Sequence, residues 1–318
     1  MKIPWKLAED TYLIDGMDMG LEGRTGTYVL TGENIVLVET GASLSVKEVK
    51  AGLQELNISL DRVKTIILTH IHLDHAGGAG LLLQDCPNAE VIVHEKGKRH
   101  LIDPSRLIQG AKMVYGTKFN ELFDPIVPIP ENRLCVKKEG ETMPLSPERV
   151  LTFYDTPGHA KHHLGIHDSL TNGIFTGDTC GIRYHQTDDH GLIFHLPTTS
   201  PNQFDPGAME QSIRMFRDVN PDRLYFGHFG MGEDPDQTFD QVLEWLPVFT
   251  NTSYEILSDG GGVLDIQTSL MNKVSSFLKE HGIPDDHHIY TILKLDMEVC
   301  AMGLADYWMN TGKQTGSS

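Results

Sequence analysis

Thr65-Ile66-Ile67-Leu68-Thr69-His70-Ile71-His72-Leu73-Asp74-His75-Ala76-Gly77-Gly78 decides how the rest of the chain is read. Its first five residues are a continuous apolar run of strand length, the pattern of a strand buried on both faces. Three imidazoles and a carboxylate follow within six residues, at the mouth of the sheet that such a strand belongs to. Imidazole is a borderline base suited to zinc, iron or nickel, and a carboxylate adds charge. The alternate spacing lets His70 and His72 point the same way, and Asp74 and His75, displaced along the chain, face a second ion. Crowded imidazoles repel one another when protonated and need separate partners when neutral, so this density argues for metal ligation. Gly77 and Gly78 allow a tight turn out of the site.

Working outward, strands and helices alternate. Thr27–Leu30 and Ile35–Val38 are short strands joined by Thr-Gly-Glu-Asn, a hairpin signal. Val46, Val49, Leu53 and Leu56 recur at helical spacing, with Ser45 and Glu48 placed for a capping box. Val91–Val93, Leu151–Tyr154, Gly173–Thr176 and Leu224–Phe226 read as further strands. A helix begins at Asp205-Pro206, with Met209, Ile213 and Phe216 on one face. The alternation predicts layered α/β architecture with sheet inside and helices outside. Residues 95–150, rich in proline, read as an irregular insertion with one helix near 106–115. From 237 onward the chain turns helical: Ile266, Leu270, Val274, Phe277 and Leu278 form a stripe ended by Gly282 and Pro284, and 287–309 forms another helix. The expected organisation is a catalytic domain over 1–236, a helical extension over 237–310 and a flexible tail over 311–318.

Three more polar residues each follow a strand and a glycine: His159 in Thr-Pro-Gly-His, Asp178 in Thr-Gly-Asp, and His228 in Phe-Gly-His. Each can project into one crevice at strand ends. His162 and His163 read as supporting or surface histidines rather than ligands.

This framework closely resembles the metallo-β-lactamase-fold hydrolase superfamily, over residues 11–232. The resemblance implies an αββα sandwich with two metals at one edge. His70, His72 and His159 would hold the first metal and Asp74, His75 and His228 the second, with Asp178 bridging both. It further implies a metal-bridging hydroxide that cleaves a small ester, thioester or lactone, with Asp74 orienting it. Phosphodiester or phosphotriester cleavage, or a regulatory effector with little turnover, are the alternatives. A diiron redox protein is disfavoured by His72, where such proteins carry Glu, and by the lack of a flavodoxin-like segment. Zinc is the default metal because every donor is N or O, and iron or manganese fit the same set. The family often has Asp-Thr-Gly after its second strand. Here it is Glu39-Thr40-Gly41, and Glu39 is expected to support a ligand histidine. The stretch after Asp178, with Tyr184, His185, Asp188, Asp189, His190 and His195, is expected to wall the pocket, Tyr184 or His185 hydrogen-bonding a developing oxyanion. The added C-terminal helices resemble, in length and helicity rather than by a motif, the quinolone-response thioesterase/effector branch, and either cover the pocket or make a homodimer contact.

The 318 residues carry 26 basic and 44 acidic side chains, a net charge of −18, which disfavours nucleic-acid and anionic membrane surfaces as partners and leaves a small-molecule substrate. Cys86, Cys135, Cys180 and Cys300 form no Cys-x-x-Cys pair and read as free thiols. No signal-peptide pattern opens the chain, and the longest apolar-looking stretch, residues 289–309, contains Lys294, Asp296, Glu298 and Asp306, so a cytoplasmic protein is expected.

Overall fold

A computed structural model describes residues 3–315. In chain order the elements are β1 (Trp5–Ala8), β2 (Thr11–Asp15), β3 (Gly26–Leu30), β4 (Ile35–Val38), α1 (Val46–Glu55), β5 (Val63–Ile67), α2 (Leu73–Ala76), α3 (Ala79–Asp85), β6 (Glu90–His94), α4 (Glu95–Ile102), α5 (Ser105–Tyr115), α6 (Phe119–Phe123) and β7 (Leu134–Lys137). They continue with β8 (Thr142–Pro144), β9 (Val150–Asp155), β10 (Leu164–Asp168), β11 (Gly173–Gly177), β12 (Ile182–Arg183), β13 (His195–Leu196), α7 (Pro206–Val219), β14 (Arg223–Phe226), β15 (Met231–Gly232), α8 (Pro235–Ser258), α9 (Val263–Glu280) and α10 (Ile289–Thr315).

The chain divides into two compact units. The first takes in residues up to Thr156, His162–Gly177 and Asn220–Pro235; the second takes in Pro157–Lys161, Asp178–Val219 and the chain from Asp236. The first unit holds two mixed sheets. One has seven strands in the order β1 to β7, the other six in the order β15-β14-β11-β10-β9-β8. β5 is an interior strand, parallel to both β4 and β6, and residues 65–67 of the expected strand form its second half, after Lys64. Leu13, Tyr28, Val36, Val38, Ile67 and Ile92 from the first sheet interdigitate with Leu151, Phe153, Leu164, Ile166, Phe175 and Tyr225 from the second in one core. The opposite face of the first sheet buries Val29, Leu37, Ile66 and Val91 against Val49 and Leu53 of α1 and Leu82 and Leu83 of α3. A buried Arg149–Asp168 pair, 2.7 Å apart, also reaches Thr11 and the Asp10 carbonyl, so it ties the two sheets together.

In the second unit, α8, α9 and α10 pack with the loop segment after Asp178. Phe194 meets Phe277 and Trp245, and Phe204 meets Tyr307. Cys86, Cys135, Cys180 and Cys300 are free thiols. Among the described residues no helix is long and apolar enough to cross a membrane.

Four local expectations are corrected. Ser45 makes no capping hydrogen bond to α1, because it is itself helical (φ −74°, ψ −16°) and ends a 3-10 turn begun at Ser43. Residues 95–150 are not irregular: besides α5 they hold α4 and α6, and β7 pairs in parallel with β6 at the sheet edge. β7 is half-buried throughout, so no alternation marks it. The backbone of the expected tail is helical to Thr315, and the remainder of that stretch lies outside the described residues. Gly77 and Gly78 have ordinary helical φ (−58° and −77°). They are required for close approach: a Cβ on Gly78 would stand 2.8 Å from Val46 and 3.2 Å from the Thr40 carbonyl.

Candidate metal centre

β5 ends at Ile67, and Leu68 and Thr69 carry the chain to the sheet rim before His70. His72 then starts α2, its carbonyl accepting from the amides of His75 and Ala76. That single turn carries the chain on to Asp74 and His75 and brings the His75 ring back beside that of His70. The His75 carbonyl accepts from the amide and hydroxyl of Thr40, both at 3.0 Å, which fastens the turn to the loop after β4. His228 follows β14 and is followed by left-handed Phe229 (φ 65°) and Gly230 (φ 90°). The Tyr28 hydroxyl lies 2.6 Å from the Phe226 carbonyl and 2.7 Å from that of Gly230, pinning this reversal.

The first unit thus carries His70, His72, Asp74, His75 and His228. Ligand atoms of Asp74, His75 and His228 lie within 4.8 Å of one another. Asp74 Oδ2 is 3.5 Å from His75 Nε2 and 3.6 Å from His228 Nε2. The His70 ring centroid is 4.6 Å from that of His72 and 4.3 Å from that of His75. His70 and His75 are fully buried, whereas the Asp74 side chain keeps 18% of its exposure, so the cluster opens to solvent on the Asp74 side.

The remaining two predicted ligands belong to the second unit, at points where the chain passes between units. Asp178 is bonded to Gly177, the last residue of β11, and His159 lies in the short stretch Pro157–Lys161. Within that unit His159 Nε2 stands 3.5 Å from Asp178 Oδ2. His159 Nδ1 is 3.2 Å from the Thr198 carbonyl, which can only accept, so Nδ1 carries the proton and Nε2 keeps its lone pair. That is the tautomer a ligating histidine needs.

Surrounding groups hold these donors. Thr69 Oγ1 lies 3.0 Å from His70 Nδ1. Glu39 is buried; it accepts the Thr69 amide at 2.9 Å through Oε1, and Oε2 stands 3.6 Å from His75 Nδ1. His162 and His163 are not surface residues. Both are buried, with His163 stacked on His70 at 5.1 Å and His162 edge-on to His72 at 5.5 Å. Buried imidazoles at this density fit a cation-binding role: a divalent ion supplies the charge that lets neutral rings converge. The donors are all nitrogen or oxygen, which suits zinc, iron or manganese.

Asp18 escaped the sequence reading. It is buried, bonded to Arg24 at 3.1 Å, and burial pushes its carboxyl upward, offset by Arg24. The charges of Asp74, His75 and His228 also act on it. Left-handed Met17 and Met19 flank it, and the only sequence signal was the turn-prone Gly16-Met-Asp-Met-Gly20.

The stretch after Asp178 is partly buried: Asp188, Asp189 and His190 are exposed, whereas Tyr184 and His195 are buried. Tyr184 is fully buried and its hydroxyl donates to Asp296 of α10 at 3.0 Å; His185 is half-buried. His195 is buried and donates from Nδ1 to Gln241 Oε1 at 3.1 Å; burial pushes its pKa down to about 4. Asp189, His190 and His287 also converge within 4.8 Å. There Asp189 meets His190 Nδ1 at 2.6 Å and His287 Nε2 at 3.3 Å, while His287 Nδ1 accepts from the Ile289 amide. His287 therefore holds its proton on Nε2, so the trio is a hydrogen-bonded latch between the 185–190 turn and the start of α10.

The chain is similar to several known proteins. ST1585 of Sulfurisphaera tokodaii, a metallo-beta-lactamase fold-containing protein, is 27% identical over 208 residues, covering 64% of this chain and 72% of its own. Its crystal structure superposes with a TM-score of 0.62 at 23% identity over 74% of this chain and 84% of that one. TTHA1429 of Thermus thermophilus, a metallo-beta-lactamase family protein, gives a TM-score of 0.67 at 19% identity over 96% of this chain and 95% of that one. These two superpositions show the αββα fold. Thioesterase pkgB of Emericella nidulans is 31% identical over 163 residues, half of this chain but only 36% of that protein. Residues 21–228 match the family model described as Metallo-beta-lactamase superfamily, so the chain belongs to that superfamily and is one of its metal-dependent hydrolases.

Proposed function

We propose that the chain is a dinuclear hydrolase of a small thioester, ester or lactone, with His70, His72, Asp74, His75, His159, Asp178 and His228 as its metal ligands. The convergence of Asp74, His75 and His228 carries the reading: one carboxylate and two imidazoles meet at a rim open on the carboxylate side. The similarity to thioesterase pkgB favours an acyl substrate, and the net charge of −18 disfavours polyanions.

Divalent cations held by these residues would supply Lewis acidity and would lower the pKa of a nearby water toward neutrality. The protein's own residues do the rest. Asp74, the most accessible member of its cluster, orients the attacking water and takes its proton. Buried His70 and His75 stay neutral donors, His70 being aligned by Thr69 and the turn bearing His75 by Thr40. His159 presents Nε2 because Thr198 holds the proton on Nδ1. Zinc is the metal we expect.

The test is elemental analysis and a substrate panel on one preparation. Two equivalents of zinc and chelator-sensitive cleavage of acyl thioesters or lactones support the reading. Metal-free protein, or turnover confined to phosphodiesters, overturns it.

A further inference from the structure

We propose that α10 is a positioning element for the ligand His159, acting through residues 198–200, with Thr199 and Gly303 as positioning residues. The inference rests on His159 being a metal ligand.

Residues 198–200 hold His159 at two points. The Thr198 carbonyl accepts from Nδ1 of the ring at 3.2 Å, and the Ser200 hydroxyl donates to the His159 carbonyl at 2.9 Å. Ring direction, tautomer and backbone position of His159 therefore follow wherever this segment goes. Thr198, Thr199 and Ser200 are buried, yet they belong to no helix or strand, so no ladder fixes them. α10 does so instead. The Thr199 hydroxyl donates to the Cys300 carbonyl at 2.8 Å. One turn on, Gly303 lets the helix backbone lie directly on the segment: a Cβ there would stand 2.5 Å from Thr199 Oγ1 and 2.9 Å from Ser200 N and C. A glycine inside a helix costs about 1 kcal/mol relative to alanine, and this approach is what it permits. From the other side α7 grips the same stretch. The Ser212 hydroxyl donates to the Pro157 carbonyl at 2.7 Å, and Gly158 (φ 140°) lies against the Met209 backbone. His159 is thus clamped between α7 and a segment seated on α10, so part of the C-terminal extension serves metal binding.

Partners that orient ligands through one hydrogen bond change metal affinity about 10–100-fold. The experiment measures Co(II) affinity of the full chain by competition with a chromophoric chelator, together with the visible Co(II) spectrum. Thr199→Val and Gly303→Ala are each expected to weaken one of the bound equivalents about tenfold and shift its absorption. Thr199→Ser, which keeps the hydroxyl, is expected to bind and absorb as the parent does. His159→Ala is the reference. If it loses a metal equivalent while Thr199→Val and Gly303→Ala bind as the parent does, the inference is wrong and the ligand reading stands. If His159→Ala itself binds metal unchanged, the ligand reading falls and takes the inference with it. The Thr199 pair decides the matter should Gly303→Ala fail to fold.

Discussion

Glu39 faces two ways at once: Oε1 accepts the Thr69 amide at 2.9 Å and Oε2 lies 3.6 Å from Nδ1 of His75. Its backbone is left-handed (φ 66°), an unusual conformation for a side chain of this size, so the surrounding structure holds it in place. One carboxylate thereby sets both the residue before the histidine run and a histidine inside it. Glu39→Gln keeps an acceptor for Thr69 and removes the charge facing His75. It is expected to weaken metal binding about tenfold with little change in the stability of the metal-free protein. Glu39→Ala also strands a buried amide and is expected to cost about 1–3 kcal/mol of stability. Chelator competition and urea unfolding of the same two variants separate the effects; equal affinity in parent and Glu39→Gln would show that the charge is irrelevant.

Asp74 keeps more solvent access than His75 and His228, which suits the two roles proposed for it. Asp74→Asn retains an oxygen donor but no base. Turnover is expected to fall by about 10²–10⁴-fold while metal remains bound. His72→Ala and Asp178→Ala are expected to lose metal as well as activity. Metal stoichiometry beside kcat checks both, and an Asp74→Asn protein with parental kcat would remove the residue from the reaction.

The proposed metal framework could be read because its signals are local: His-x-His-x-Asp-His sits behind one buried strand, and each distant donor follows a strand and a glycine. The sheets were legible for the same reason, the short run 65–69 marking the end of β5. What escaped is made by long-range meetings. Asp18 is delivered by two left-handed residues, and Tyr184 spends its hydroxyl on Asp296, which leaves no periodic trace. Ser45 had the right neighbours for a cap, but the turn that precedes it had already begun the helix.

His195 makes stability depend on pH. Burial pushes its pKa down to about 4 from an ordinary value of 6.5. Between these values the unfolded chain binds a proton that the folded one does not, so stability rises with pH. The contribution is complete above pH 6.5 and is lost as pH falls toward 4, up to about 3 kcal/mol. Urea midpoints from pH 7 to 4.5 should fall for the parent and fall less steeply for His195→Asn. Parallel curves would place the proton elsewhere.

Arg149 and Asp168 are a contrasting case, since their pair ties the sheets and, among the described residues, bonds to none of the proposed ligands. Arg149→Ala leaves a buried carboxylate uncompensated and is expected to cost about 3–5 kcal/mol of stability. Metal affinity of the folded fraction should remain parental. A change in affinity beyond threefold would mean that the sandwich and the metal site are coupled.

Gly177 ends β11 with φ 48°, immediately before Asp178, and its free space is occupied by neighbours that matter. A Cβ there would stand 2.6 Å from Thr69 Oγ1, the atom that aligns His70 Nδ1, and would also press on His163 Nε2. The two residues cannot yield far, because Thr69 is held by Glu39 and His163 by Thr156 at 2.8 Å. Gly177→Ala combines a strained left-handed alanine, about 1–2 kcal/mol, with a push on one proposed ligand and a backbone shift at another. Metal affinity should therefore fall further than in Glu39→Gln, by about 100-fold, and stability should fall with it. Retention of parental affinity in a folded Gly177→Ala protein would mean that His70 and Asp178 do not depend on the β11 terminus for their placement.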